Sequence, residues 1–140
     1  MSDAQLQIIH NEEVFMTRDR AQVFYAEHKG ESSISTNCVN APEFAFRPLS
    51  LVKNLLATRR HGPLGVYILA GNNAISVWRS LLGPTKVYRT VVYEPNSLRG
   101  RFGLTDTRNG FHGSDSQENA FKEIKFFFPS FNCESILSDL

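Results

Sequence analysis

The chain has 140 residues, 41% of them hydrophobic and 21% charged, which suits one compact domain over residues 1–140. Its 15 basic and 14 acidic residues leave a formal net charge of +1, so whole-chain attraction to nucleic acid is not expected. No apolar run approaches a membrane span. Two cysteines, Cys38 and Cys133, are too few for a disulfide framework and fit no metal-ligand spacing, so they read as free thiols.

The N-terminus, Met1 to Glu13, lacks a basic n-region and an apolar h-region, and Asp3, Glu12 and Glu13 make it too acidic for a mitochondrial presequence. Residues 4–16, with Leu6, Ile8, Ile9, Val14, Phe15 and Met16, predict a strand. Thr17 then caps a helix carrying Ala21, Val23, Phe24 and Tyr25, and Gly30 ends it. Residues 31–43 are polar, small and aperiodic, which predicts an irregular loop. Leu49, Leu51, Val52, Leu55 and Leu56 form an apolar stripe at helical spacing, stopped by Gly62-Pro63. Val66-Tyr67-Ile68-Leu69, between Gly65 and Gly71, predicts a buried strand. Asn72 or Asn73 is placed to cap a helix with Ala74, Ile75, Val77, Trp78, Leu81 and Leu82, ending at Gly83-Pro84. Residues 85–111 are weakly periodic and rich in arginine, and read as a long loop. A last helix is predicted behind a capping box at Ser114-Asp115-Ser116-Gln117, with Ala120, Phe121, Ile124, Phe127 and Phe128 inward and Pro129 as its stop. Interleaved strands and helices with short connections imply an α+β or α/β sandwich, helices covering a small sheet.

The strongest chemical signal is Asn109-Gly110-Phe111-His112-Gly113-Ser114-Asp115-Ser116. A histidine stands beside glycine and small hydroxyl residues, just before a helix start whose backbone N–H groups attract anions such as phosphate. Imidazole titrates near neutral pH and can act as an uncharged nucleophile. Arginines nearby could hold a transferring phosphoryl group through bidentate contacts. On these residues alone, a surface loop with a chance histidine reads about equally well.

The run Arg108 to Ser116 contains Asn-x-x-His-Gly-Ser-Asp-Ser, and in this it resembles the active-site signature of nucleoside diphosphate kinases. The segment Ser97 to Asn109 resembles what precedes the family histidine, and Trp78-Arg79-Ser80-Leu81-Leu82-Gly83-Pro84-Thr85-Lys86-Val87 resembles its helix and nucleotide-binding loop. The Gly-Pro-Thr wording, the long loop before Arg99 and Gly-Leu-Thr-Asp-Thr-Arg-Asn are most similar to the divergent type-6 branch. The likeness is strong over 62–131 and fair over 8–30.

The resemblance implies a ferredoxin-like antiparallel sheet with helices packed on it, and ping-pong transfer of the γ-phosphoryl group of ATP or another nucleoside triphosphate to a nucleoside diphosphate. In that reading His112 is the phosphorylated residue and Glu123 the carboxylate that orients it. Arg79, Thr85 and Arg99 hold phosphates, Asn109 bonds the sugar hydroxyl, Ser114 bonds near the catalytic pair and Tyr25 lines the site. Read without the resemblance, Glu123 is a solvated helix residue, Arg79 a surface charge, Thr85 and Asn109 turn residues, Ser114 a helix cap and Tyr25 a core residue. Mg²⁺ is implied through the nucleotide phosphates, with no metal site of the protein's own. Nucleoside tri- and diphosphates are the implied partners, a homo-oligomer is left open, and no membrane or nucleic acid is expected. Type-6 members are associated with mitochondria, so a cytoplasmic or mitochondrial location is implied. The alternative is a non-catalytic, regulatory or truncated member acting through protein contacts.

Two departures from the family pattern set further expectations. Nothing matches the opening strand that ends in Lys-Pro-Asp, nor the helix after it, which suggests a truncated chain lacking the phosphate-contacting lysine. That strand lies between the strand before Ala70 and the strand bearing His112, so its loss predicts two unpaired strand edges. Each unmet buried backbone group costs about 1–3 kcal/mol against a domain stability of roughly 5–15 kcal/mol. Residues 32–43 read as an insertion, Thr58 to His61 as a lengthened helix end, and Phe44 or Phe46 as the ring that packs on the base.

Overall fold

The computed structural model describes residues 6–27, 43–48, 63–106 and 108–132. The polar loop as far as Pro42, the stripe from Leu49, the stretch Thr58 to His61, Cys38, Cys133 and the side chains of Tyr25, Phe44 and Phe46 lie outside the described residues or side chains, and Glu43, read as the loop's last residue, begins a strand.

In chain order the elements are β1 (Gln7–Phe15), α1 (Arg18–Glu27), β2 (Glu43–Pro48), β3 (Pro63–Gly71), α2 (Ala74–Leu82), α3 (Val87–Tyr93), α4 (Leu98–Phe102) and α5 (Gln117–Phe127). The strands make one antiparallel sheet in the order β1-β3-β2. Gln7 pairs with Ala70 and Phe15 with Pro63, with a register shift between Ile8 and His10. On the other side Glu43 pairs with Gly71 and Pro48 with Val66. This α+β arrangement of an antiparallel sheet with helices is the predicted fold class.

The central strand explains the layering. Leu64, Val66, Ile68 and Ala70 alternate onto one face and join Met16, Ala21 and Phe24 from the α1 side and Ala120, Ile124, Phe127 and Phe128 from the α5 side. Leu69 and Tyr67 point the other way, against Ala74, Ile75, Trp78 and Leu82 of α2 and against Phe111. A strand apolar on both faces belongs in the middle of its sheet, which is where this one sits.

Four expectations need correction. The edge of β3 that was expected to stand open is paired from Val66 to Gly71 by β2, a strand the sequence reading did not place. No strand carries His112 among the described residues; the histidine sits in irregular chain before α5, so the second open edge does not arise. The long loop over 85–111 contains α3 and α4, short helices too brief to show helical periodicity. The capping box is displaced by two residues: Ser116 caps α5 by accepting from the Asn119 N–H, and Ser114 does not cap. Asn73 does precede α2, but in the left-handed region at φ 54° and without a side-chain cap bond.

Candidate active site

The site forms where the chain leaves α4 and enters α5. His112 is half-buried, and its Nε2 lies 2.8 Å from Oε1 of Glu123. Glu123 sits on the second turn of α5, seven residues past the Ser116 cap, and its side chain is 2% exposed. A carboxylate that deep is costly unless its lone pairs are filled. Ser114 fills the other oxygen: its buried hydroxyl donates to Glu123 Oε2. The Phe24 ring of α1 stands edge-on to the imidazole, with centroids 6.5 Å apart. Three sequence-predicted residues, His112, Glu123 and Ser114, therefore form one bonded chain.

The backbone under the histidine is held from the side of α2 and α4. Trp78 Nε1 donates to the His112 carbonyl at 3.1 Å. Arg99, 7% exposed, donates from Nη2 to the Phe111 carbonyl at 3.1 Å and from Nη1 to the Gly83 carbonyl at 2.6 Å. Its Nε is buried without a hydrogen-bond partner. Burial, and then the positive charge of Arg79, push the Arg99 guanidinium below its ordinary pKa. Arg99 thus ties the start of the loop that carries Thr85 to the loop that carries His112.

Gly83 ends α2 at φ +74°, a conformation that suits glycine, and a Cβ there would strike Ser97. The chain then bends through Pro84 and Thr85. Thr90 fixes the bend from below: it is wholly buried, and its hydroxyl lies 2.9 Å from the Pro84 carbonyl and 3.0 Å from that of Lys86. Thr85 itself is exposed, as is Arg79 on α2. Asn109 is half-buried, with its amide donating to the Asp106 carbonyl at 3.3 Å. Tyr25 follows Phe24 on α1, which brings its backbone to this side of the molecule.

Asp115 is exposed beside this group. The amide of Asn119, at 2.6 Å, and to smaller degrees the Ser116 hydroxyl, its own backbone N–H and last Arg79 hold its carboxyl below the ordinary range. A depressed folded pKa contributes stability above the unfolded value, and that contribution is lost as pH falls through the folded value. Asn119→Ala is therefore expected to raise the Asp115 pKa toward its ordinary value and to weaken this acid-side dependence. Carboxyl chemical shifts followed by NMR through acid pH check it; an unmoved Asp115 titration would refute the assignment.

Sequence reasoning missed Trp78 and Thr90 as site-supporting residues, since Trp78 reads as a residue inside a helix and Thr90 falls in the stretch read as a loop. No local pattern marks them; only the fold brings their polar atoms to the two loops. Among the described residues, no three or more His, Cys, Asp or Glu stand close enough to hold a metal ion, and no helix is long and apolar enough to cross a membrane.

Comparison with known proteins converges on one family. The family model described as nucleoside diphosphate kinase matches residues 1–133. Nucleoside diphosphate kinase 6 of Danio rerio is 42% identical over 127 residues, covering 91% of this chain and 62% of the relative. The Homo sapiens protein of that name is 39% identical over 125 residues, covering 89% and 58%. The crystal structure of the Aquifex aeolicus nucleoside diphosphate kinase superposes with a TM-score of 0.65 at 29% identity, over 88% of this chain and 74% of that one. The chain spans about three fifths of the length of the curated relatives it matches. On this ground the chain belongs to the nucleoside diphosphate kinase family and resembles its type-6 branch.

Proposed function

We propose that this chain moves the γ-phosphoryl group of a nucleoside triphosphate such as ATP to a nucleoside diphosphate, through a phosphohistidine on His112. Family membership supports nucleotide phosphotransfer in general. The observation that carries the specific reading is the bonded chain Ser114–Glu123–His112, in which a buried carboxylate faces Nε2. An ionised Glu123 keeps the ring proton on Nε2 and leaves the Nδ1 lone pair for attack.

In the first half-reaction an Nδ1–P bond forms and the bond from the γ-phosphorus to the β–γ bridging oxygen breaks. The nucleoside diphosphate leaves with that electron pair. The imidazole, which gains positive character, keeps its Nε2 proton against Glu123. In the second half-reaction a terminal oxygen of an incoming diphosphate attacks phosphorus, and the N–P electron pair returns to the ring. Mg²⁺ carried on the nucleotide phosphates would offset their charge, and no residue of this chain is assigned to hold it. Arg79, exposed on α2, and Arg99, through its charge and the remaining hydrogens of its terminal nitrogens, offset charge on the phosphoryl oxygens. Thr85 gives a phosphate contact, Asn109 meets the sugar hydroxyl, and Tyr25 lines the entrance. Residues 1–140 act as one domain in this reading, with assembly into a homo-oligomer open to measurement.

The test is to incubate the purified chain with ATP carrying a labelled γ-phosphate. One acid-labile label per chain is expected, released onto a nucleoside diphosphate added afterwards. A folded preparation that binds nucleotide yet takes no label would overturn the catalytic reading in favour of a non-catalytic family member.

A further inference from the structure

Trp78 has no role in the transfer just described, yet it touches the main chain of both residues at the centre of the site. Its indole N–H donates to the carbonyl of His112 at 3.1 Å. The same ring edge lies against Gly113. A Cβ built on Gly113 would fall 2.6 Å from Trp78 Cδ1 and 2.8 Å from Nε1, and 3.2 Å from Leu82 Cδ1. Such approaches are far inside contact distance, so the glycine is required for space and not for a special φ. The ring is 5% exposed and packed among Leu69, Ile75, Leu82 and Phe111, and α2 leaves it little freedom to move.

We infer that Trp78 is a positioning residue: its N–H and ring edge lock the His112–Gly113 main chain, and so fix the direction in which the imidazole presents Nδ1. Among the described residues the imidazole itself has one hydrogen bond, Nε2 to Glu123, with the Phe24 ring edge-on beside it. One hydrogen bond leaves a ring free to swing about it. A second constraint at the carbonyl of the same residue sets the backbone from which the side chain springs. Arg99 acts on the preceding carbonyl, so Phe111 and His112 are gripped in succession from α4 and α2. Reactivity depends steeply on such placement, with a misplacement of about 1 Å costing on the order of 10²-fold. The inference rests on the phosphotransfer reading, because it concerns the rate of attack by His112.

Trp78→Phe keeps an aromatic ring but removes both the N–H donor and the five-membered ring edge that lies against Gly113. Single-turnover labelling by ATP is expected to slow about five- to tenfold. The final label per chain and the nucleotide Kd should stay at wild-type values. A purely structural role would instead lower the labelled fraction and leave the rate constant of the folded remainder unchanged; that result would overturn the proposal. If the phenylalanine variant does not fold, the analogue with sulfur in place of the indole N–H, benzothienylalanine at position 78, preserves the ring shape and is read the same way. A readout independent of activity is available because Trp78 is the single tryptophan. Its lone indole N–H resonance is expected to exchange slowly with solvent, and fast exchange in the folded chain would sink the hydrogen bond. Labelled wild type with an equally fast variant overturns the Trp78 role alone. Unlabelled wild type removes the phosphotransfer reading and this one with it.

Discussion

A His112→Ala chain is expected to take up no acid-labile phosphate and to lose transfer activity by roughly 10⁴-fold or more, to the background of the assay. No second group stands ready to replace the imidazole in the bonded chain, since Ser114 is buried and turned to Glu123. The substitution should leave the fold in place. The His112 side chain is 35% exposed, and it is the carbonyl, which alanine keeps, that receives Trp78. Thermal unfolding of wild type and variant, run beside the labelling, separates loss of chemistry from loss of structure. Label that persists on a folded His112→Ala chain would place the phosphorylated residue elsewhere.

Glu123→Gln belongs to the same series and isolates charge from shape. Glutamine can still accept from Nε2 through its carbonyl oxygen and can donate to the Ser114 hydroxyl, so the number of hydrogen bonds is kept. What disappears is the negative charge that opposes the positive imidazole formed on attack. The labelling rate should fall by about 10²–10³-fold with nucleotide binding little changed, within the range for positioned acid–base groups. A variant labelled as fast as wild type would reduce Glu123 to a packing residue. The two substitutions are not expected to be additive, since both act on one proton and one nucleophile.

How far these residues could be read in advance depended on whether their signal was local. The histidine run is contiguous, so His112, Ser114 and the loop containing them were legible as a motif before any fold was known. Glu123 was legible only through the family resemblance, because its own spacing on α5 reads equally well as a solvent-facing position; the fold puts it at 2% exposure. The central strand was legible because four large apolar residues in succession, Val66 to Leu69, need cover on two faces. Its partner β2 was not placed. Six residues that begin with Glu43 and end at Pro48 carry little period, and pairing with β3 is a non-local event that no short window contains. The helices α3 and α4 were hidden for a related reason, seven and five residues being too few to display a 3.6-residue period. The Ser114 cap was misplaced because serine at 114 and serine at 116 fit one rule of composition. Which of them caps is decided by Glu123, whose buried oxygen claims the Ser114 hydroxyl and leaves Ser116 to meet Asn119.

Ile68 is expected to contribute strongly to stability. It is wholly buried in the middle of β3, opposite His10 on one neighbour and Phe46 on the other, and its side chain enters the cluster shared by α1 and α5. Ile68→Ala removes methyl and methylene groups from a place where sheet pairing on both sides restrains collapse around the space left behind. A loss of about 2–5 kcal/mol is expected, a large share of the roughly 5–15 kcal/mol available to a domain. In urea the midpoint should drop by roughly 1–2 M with little change in slope. Ile68→Val, which deletes one methylene, should cost only about 0.5–1.5 kcal/mol. Val92→Ala on α3, at 69% exposure, should stay within about 0.5 kcal/mol of wild type. The ordering of these variants tests the layered core more sharply than any one of them. If Ile68→Ala unfolded no earlier than Val92→Ala, β3 would not be the central strand, and the α5 surface that carries Glu123 to His112 would have to be supported from somewhere else.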